Sequence, residues 1–164
     1  MPDHPGDPTP EQILRFLRRA NAIAAQAVAE GRHPFGALLV APDHGTILLE
    51  QGNLGPVNHA EAVLAREAAE RFPPEYLWGC TLYTTVEPCA MCAATQYWAN
   101  IGRLVYGLDE HRLLAFTGSD PENPTLAVPA RYVFEHGQKD IRVIGPVDAA
   151  EEEIAALHRD FWKG

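Results

Sequence analysis

Two short runs of this sequence hold the residue types that bind transition metals and move protons: Asn58-His59-Ala60-Glu61 and Glu87-Pro88-Cys89-Ala90-Met91-Cys92. Zinc favours nitrogen and thiolate donors in a tetrahedron. One imidazole (His59) and two sulfurs (Cys89 and Cys92) make three ligands and leave the fourth corner to water, the count of a catalytic site rather than a closed structural one. Cys89 and Cys92 stand three residues apart, which puts both sulfurs on one face of a helical turn. Both runs fall at expected helix starts, where free N–H groups and the helix dipole lower the cost of forming a thiolate. Glu61, two residues beyond His59, reaches the open corner without being a ligand, and a carboxyl there takes a proton from water and hands it on. A Cys-x-x-Cys pair alone reads equally as a redox pair or a structural zinc knuckle. The upstream His-Ala-Glu turns the reading toward catalysis. A structural site would need a fourth ligand, and His33, His44 and His111 read more simply as solvent-facing polar residues.

Periodicity places the elements that must carry these runs. Residues 1–8, rich in Pro, Gly and Asp, are expected to fray. Thr9 caps a helix with Pro10 at its first position, and Ile13, Leu14, Leu17, Ala20, Ala24, Ala27 and Val28 share one face before Gly31 ends it. Residues 35–41 and 46–51 read as strands of an antiparallel hairpin joined by Pro42-Asp43-His44-Gly45. Asn58 is the expected cap of a second helix that Pro73-Pro74 terminates. A third strand over 80–85, a helix over 89–99 and a fourth strand over 103–108 follow. Pro121, Pro124 and Pro129 then predict a long irregular connection over 109–140 on the substrate side. A short strand at 141–144 and a helix opened by Asp148 and Glu151, running to about Trp162, close the chain. Helices alternating with strands in this order predict a mixed sheet flanked by helices.

The chain has 164 residues, a length that fits one domain spanning 1–164. Its 13 Lys and Arg against 22 Asp and Glu leave a net charge of −9, which repels phosphate backbones and argues against a nucleic-acid partner. Arg15, Arg18 and Arg19 form one small positive cluster, read as a solvated helix face. Three cysteines make no disulfide framework, no hydrophobic leader follows Met1, and no apolar run approaches bilayer length, so a cytoplasmic protein without membrane contact is expected.

Together with Pro34-Phe35-Gly36-Ala37, Thr81-Leu82-Tyr83-Thr84-Thr85 and Tyr97-Trp98-Ala99, the two metal-binding runs resemble the cytidine-deaminase-like superfamily over roughly residues 13–108. Within it, the resemblance is to the bacterial guanine deaminase and tRNA adenosine deaminase branch. It implies a three-layer α-β-α fold with a mixed five-stranded central sheet, one zinc ion per chain, a homodimer, and hydrolytic release of ammonia from a nucleobase or nucleoside. The segments around Phe35 and Trp98 are more like guanine deaminase, which points to guanine or a related aminopurine. The alternatives are tRNA adenosine, or cytosine, another aminopyrimidine or a triazine. By the same resemblance Phe35 stacks on the substrate ring, Asn53 bonds its edge, Ala60 is a further substrate contact, and Trp98 walls the pocket. Asp120, in Gly118-Ser119-Asp120-Pro121, is the counterpart of an acidic residue that reads the base. The plainer readings are core packing for Phe35 and Trp98 and turn chemistry for Asn53 and Asp120. Phe161-Trp162-Lys163-Gly164 lacks the closing tyrosine with which the family reaches over a neighbouring subunit's site. A non-catalytic, zinc-stabilised interaction protein on the same scaffold would have no use for Glu61.

Overall fold

The first helix begins as its sequence requires. The Gln12 N–H donates to the Thr9 hydroxyl (3.1 Å) while the Thr9 N–H donates to the Gln12 side chain (2.8 Å), so two of the unpaired first-turn donors are satisfied reciprocally. The computed structural model describes residues 2–162. Its elements are α1 (Pro10–Ala29), β1 (Gly36–Val40), β2 (Ile47–Gly52), α2 (Ala60–Arg71), α3 (Pro74–Trp78), β3 (Thr81–Val86), α4 (Ala90–Ala99), β4 (Arg103–Leu108), α5 (Glu110–Thr117), α6 (Ala130–Glu135), β5 (Arg142–Ile144) and α7 (Asp148–His158).

The five strands form one sheet in the order β2-β1-β3-β4-β5, as the resemblance implies. β1 runs antiparallel to β2 and β3, whereas β3, β4 and β5 are parallel, so the sheet is mixed. Strand alternation feeds two separate cores. Ala37, Leu39, Leu82, Leu104 and Tyr106 face the side covered by α2, α4 and α6. Leu38, Val40, Tyr83, Val105 and Leu108 face Phe16, Leu17 and Ala20 of α1 and Ile154 of α7. β3 and β4 are buried along their whole length, as parallel strands with helices on both faces must be. Gly36 is required where β1 meets α1: a Cβ there would overlap the Ala20 carbonyl oxygen and the Ala24 nitrogen.

This topology decides where the chemistry goes. The carboxyl ends of β3 and β4, the amino end of antiparallel β1 and the carboxyl end of β2 all lie at one edge of the sheet, since Gly36 pairs with Gly52, Ala37 with Thr84 and Val86 with Leu108. Phe35, Asn53, Glu87 and Asp109 leave the sheet there, at the carboxyl ends of the parallel strands where open α/β sheets bind ligands.

The structure corrects three local expectations. The stretch 109–140 is not irregular throughout: Asp109 caps α5, its carboxylate accepting from the Arg112 N–H at 2.7 Å, and α6 follows Pro129. α2 does end at Arg71, with Phe72 extended ahead of Pro73, and Pro74 then occupies the first position of α3, where a missing N–H costs nothing. His59, not Asn58, is the N-cap of α2, and its side chain makes no capping bond. Residues 2–8 are tied down rather than frayed, because the indole N–H of Trp78 donates to the Pro2 carbonyl (2.8 Å) and the buried Arg103 guanidinium donates to Pro5 O (2.8 Å) and Asp7 (3.1 Å). His4 stacks on Trp78 at 4.5 Å, so the buried Trp78 ring is covered from within its own chain. No helix among the described residues is long and apolar enough to cross a membrane.

Candidate active site

His59 and Cys89 are both N-caps, of α2 and α4 respectively, with extended backbone that points each side chain off the helix end. Cys92 and Glu61 sit in the first turns of the same two helices, buried on the faces where α2 packs on α4. The His59 Nδ1 lies 3.6 Å from the Cys89 Sγ and 3.6 Å from the Cys92 Sγ, and the two sulfurs are 3.7 Å apart. With bonds of about 2.3 Å to sulfur and about 2.0 Å to nitrogen, a tetrahedral ion separates two sulfurs by about 3.8 Å and sulfur from nitrogen by about 3.5 Å. The three donors thus already occupy three corners of a zinc-sized tetrahedron. Among the described residues these three form the whole His/Cys/Asp/Glu group able to hold an ion, so no protein side chain fills the fourth corner.

The charges are arranged to suit a cation. The Cys92 sulfur and the His59 imidazole beside it, with a first-turn backbone N–H, pull the Cys89 thiol down to about 4 against the opposing effect of burial. The Cys89 sulfur and burial push Cys92 far up, while the Ala62 N–H from α2 pulls it back. The two thiols thus pull in opposite directions, and a metal ion binding both would displace whatever protons they hold. His59 is raised, first by its contact with Cys89. Burial pushes the Glu61 carboxyl up to about 7, with the Cys89 charge adding to it and a backbone N–H opposing; the side chain is 6% exposed. A carboxyl near neutrality beside an open ligand position is suited to accept and return protons.

Residues 10–108 match the family model of the cytidine and deoxycytidylate deaminase zinc-binding region. The chain belongs to the cytidine and deoxycytidylate deaminase family. With membership comes the enzyme class, a hydrolase acting on C–N bonds of cyclic amidines. The deaminase is 33% identical over 164 residues to a probable cytosine deaminase of Schizosaccharomyces pombe, covering 94% of each chain. It is 38% identical to the guanine deaminase of Bacillus subtilis over 111 residues, 64% of this chain and 69% of that one. A solved structure from a study of A-to-I editing by tRNA:A34 deaminases aligns with a TM-score of 0.60 at 29% identity, covering 87% of this chain and 98% of the other.

The remaining residues singled out from the sequence divide in two. Phe35 and Asn53 lie at the site's end of the sheet, joined by the Asn53 N–H donating to the Phe35 carbonyl at 3.1 Å. Asn53 is 5% exposed, and no hydrogen bond of its side chain is formed among the described residues. Ala60 packs its methyl into the core, so its contribution to a ligand is limited to its first-turn N–H. Trp98 does not wall the pocket of its own chain. α4 buries Cys92, Ala93, Gln96 and Ala99, and the helical period turns Trp98 to the opposite side, where it is 79% exposed with Tyr97 edge-on and Lys139 nearby. Asp120 serves a turn. Its carboxylate accepts from the Glu122 N–H (3.0 Å) and its own N–H donates to Thr117 O (2.9 Å).

Two acidic residues emerge at the site that the sequence did not single out. Glu110, at the start of α5, is pushed up to about 8 by burial and then by the charges of Cys89, Glu87 and Glu61. Glu87, quoted above only as part of the cysteine motif, is buried with both carboxylate oxygens hydrogen-bonded. Their partners lie far away in sequence, so no local pattern announces either role.

The C-terminal residues fold back onto their own chain. The Trp162 indole donates to His158 Nδ1 at 3.0 Å, and the rings of Phe35, Phe116 and Trp162 surround that imidazole; Lys163 and Gly164 lie outside the described residues. Burial pulls His158 down to about 4, with the backbone at Pro34 opposing. A neutral imidazole in the fold and a titrating one near 6.5 in the unfolded chain mean that the unfolded state binds the extra proton between those values. Stability is therefore full above about pH 6.5 and falls as the pH drops toward 4, by about 3 kcal/mol in all. Thermal melts from pH 7.5 to pH 5 should show the parent losing about 2 kcal/mol more than His158→Phe. Parallel curves would mean that this imidazole is not held neutral.

Proposed function

We propose that this deaminase is a zinc-dependent hydrolase of a free nucleobase, guanine or a related aminopurine first, with His59, Cys89 and Cys92 holding the metal. The observation that carries the reading is the donor triangle, whose three edges fit one tetrahedral ion, with the buried Glu61 carboxyl beside it. Zinc held by three protein ligands supplies a Lewis-acid centre that brings the pKa of water at its fourth corner toward roughly 7.

The chain's own groups do the rest. Glu61 takes a proton from the attacking water and delivers it to the ring nitrogen next to the amidine carbon. It then takes the second proton and delivers it to the amino group, so that the C–N bond breaks, a carbonyl forms and neutral ammonia leaves. Asn53 holds the ring edge with its otherwise unbonded amide, the Ala60 N–H offers a donor, and Phe35 lies against the ring. His59, as a ligand through Nδ1, fixes the ion against the two thiolates.

A free base is favoured over tRNA by the net charge of −9, which opposes the phosphate contacts that an RNA substrate needs. Cytosine is the second reading, supported by the near full-length match to the S. pombe relative, which extends through the substrate-side residues beyond β4. A homodimer belongs to the same proposal, with the exposed Trp98 indole of α4 buried against the second copy; sedimentation should give twice the chain mass.

Ammonia release measured against guanine, adenine, cytosine, guanosine, adenosine, cytidine and a tRNA anticodon stem-loop tests the assignment. Guanine or an aminopurine turned over fastest is the expected result. Cytosine ahead of the purines moves the assignment to the second reading, inosine in the stem-loop rejects the free-base reading, and no turnover of any compound rejects the function.

A further inference from the structure

Glu87 stands at the junction of β3 with the metal-binding turn, immediately before the buried Pro88 and the half-buried Cys89. Its backbone N–H donates to Leu108 O of β4 at 2.7 Å, which holds the turn to the sheet. Its side chain, 7% exposed, reaches in the other direction. One oxygen accepts from the Glu110 N–H at 3.0 Å and the other from the Ala130 N–H at 2.9 Å, partners 23 and 43 residues away. These are the first N–H groups of α5 and α6. Asp109 already bonds the Arg112 N–H and leaves Glu110 unserved, while Pro129, the N-cap of α6, makes no side-chain capping bond. A single buried carboxylate therefore completes the starts of both helices, with charge-assisted bonds to donors that would otherwise be orphaned.

We propose that Glu87 is a positioning residue that ties the segment from Glu110 to Ala130 to the metal-binding turn, so that selection of the base depends on a side chain touching neither metal nor base. The segment between the two bonds carries Glu110, the first residue of α5, and Phe116, which packs on His158 with Phe35. Releasing its two ends loosens that wall and leaves His59, Cys89, Cys92 and Glu61 in place. A carboxylate is required: glutamine offers only one acceptor oxygen and turns an NH2 toward the other N–H, and aspartate is one CH2 too short to span both. Only the placement of the substrate against this segment rests on the proposed function.

The test is Glu87→Gln in the full-length, zinc-loaded protein, with Glu87→Asp, which keeps the charge, as the second variant should Glu87→Gln not fold. Amide exchange at Glu110 and Ala130 should rise about ten- to a hundredfold while the strands stay protected. Zinc should remain at one per chain. With the base that the substrate panel selects, KM should rise about tenfold or more with kcat changed far less, the signature of a displaced substrate wall. Unchanged exchange at those two amides, or loss of zinc in parallel with activity, would overturn the proposal. If the parent deaminates no base, the proposed function fails, and the exchange and zinc measurements still decide whether the carboxylate braces the segment.

Discussion

Glu61→Gln should keep one zinc per chain and lower kcat by about three orders of magnitude, within the range that a positioned acid-base group contributes. The isostere preserves the shape of a side chain that is 6% exposed and removes a carboxyl that burial penalises, so the variant should melt no lower than the parent. This separates chemistry from folding. Loss of zinc together with rate would mean that Glu61 supports the metal group, and a rate close to the parent's would mean that another group moves the protons. Glu110 is likewise pushed up, to about 8, so Glu110→Gln is the natural control. Its effect should fall mainly on KM.

Cys92→Ala should abolish both metal binding and turnover. A tetrahedral site with three protein donors loses a third of its ligand set, and the remaining His59 and Cys89 cannot enclose the ion. The stability consequence follows from linkage. Zinc at a thousandfold excess over its Kd stabilises the folded chain by about 4 kcal/mol, on the order of 10 °C for a domain of this size. Chelator should therefore lower the parent's melting midpoint by that order and leave Cys92→Ala unmoved. The same chelator response in both proteins would place the ion elsewhere. Cys80→Ser is the contrasting case, a buried thiol in the core between α3 and β3, where substitution should reduce stability without touching zinc.

How much of this could be read from the chain alone follows from how local each signal is. The His59, Glu61, Cys89 and Cys92 assignments depend on residue types at short spacings, and the structure brings those four together. The start of α1 and the hairpin of β1 and β2 also rest on local chemistry and recur with shifts of a residue or two. α5 was lost because Pro121, Pro124 and Pro129 dominated the reading of the stretch, although Asp109 at its start is a strong cap. α6 has no local start signal, since its first N–H is satisfied by Glu87, 43 residues earlier. Trp98 was assigned by likeness of its neighbours, and the helical period of α4 overrides that assignment within one chain. Residues 2–8 look disordered by composition and are ordered by Trp78 and Arg103, groups invisible in an eight-residue window.

The parts of the molecule divide by what each must do. The sheet gathers four strand ends at one edge, two helix starts carry His59, Glu61, Cys89 and Cys92, and the buried Glu87 carboxylate bonds the first N–H groups of α5 and α6. Changes at the first level should unfold the chain, at the second remove metal or rate, and at the third alter the choice of base.

Zinc-edge X-ray absorption on the purified, zinc-loaded protein decides whether one imidazole and two thiolates share an ion with an open fourth corner. Two sulfur neighbours at about 2.3 Å and two light atoms at about 2.0 Å, one an imidazole nitrogen and one exchangeable with added small anions, are expected. A shell filled by four protein donors, or sulfur neighbours that persist when Cys89 and Cys92 are both replaced, would contradict that arrangement.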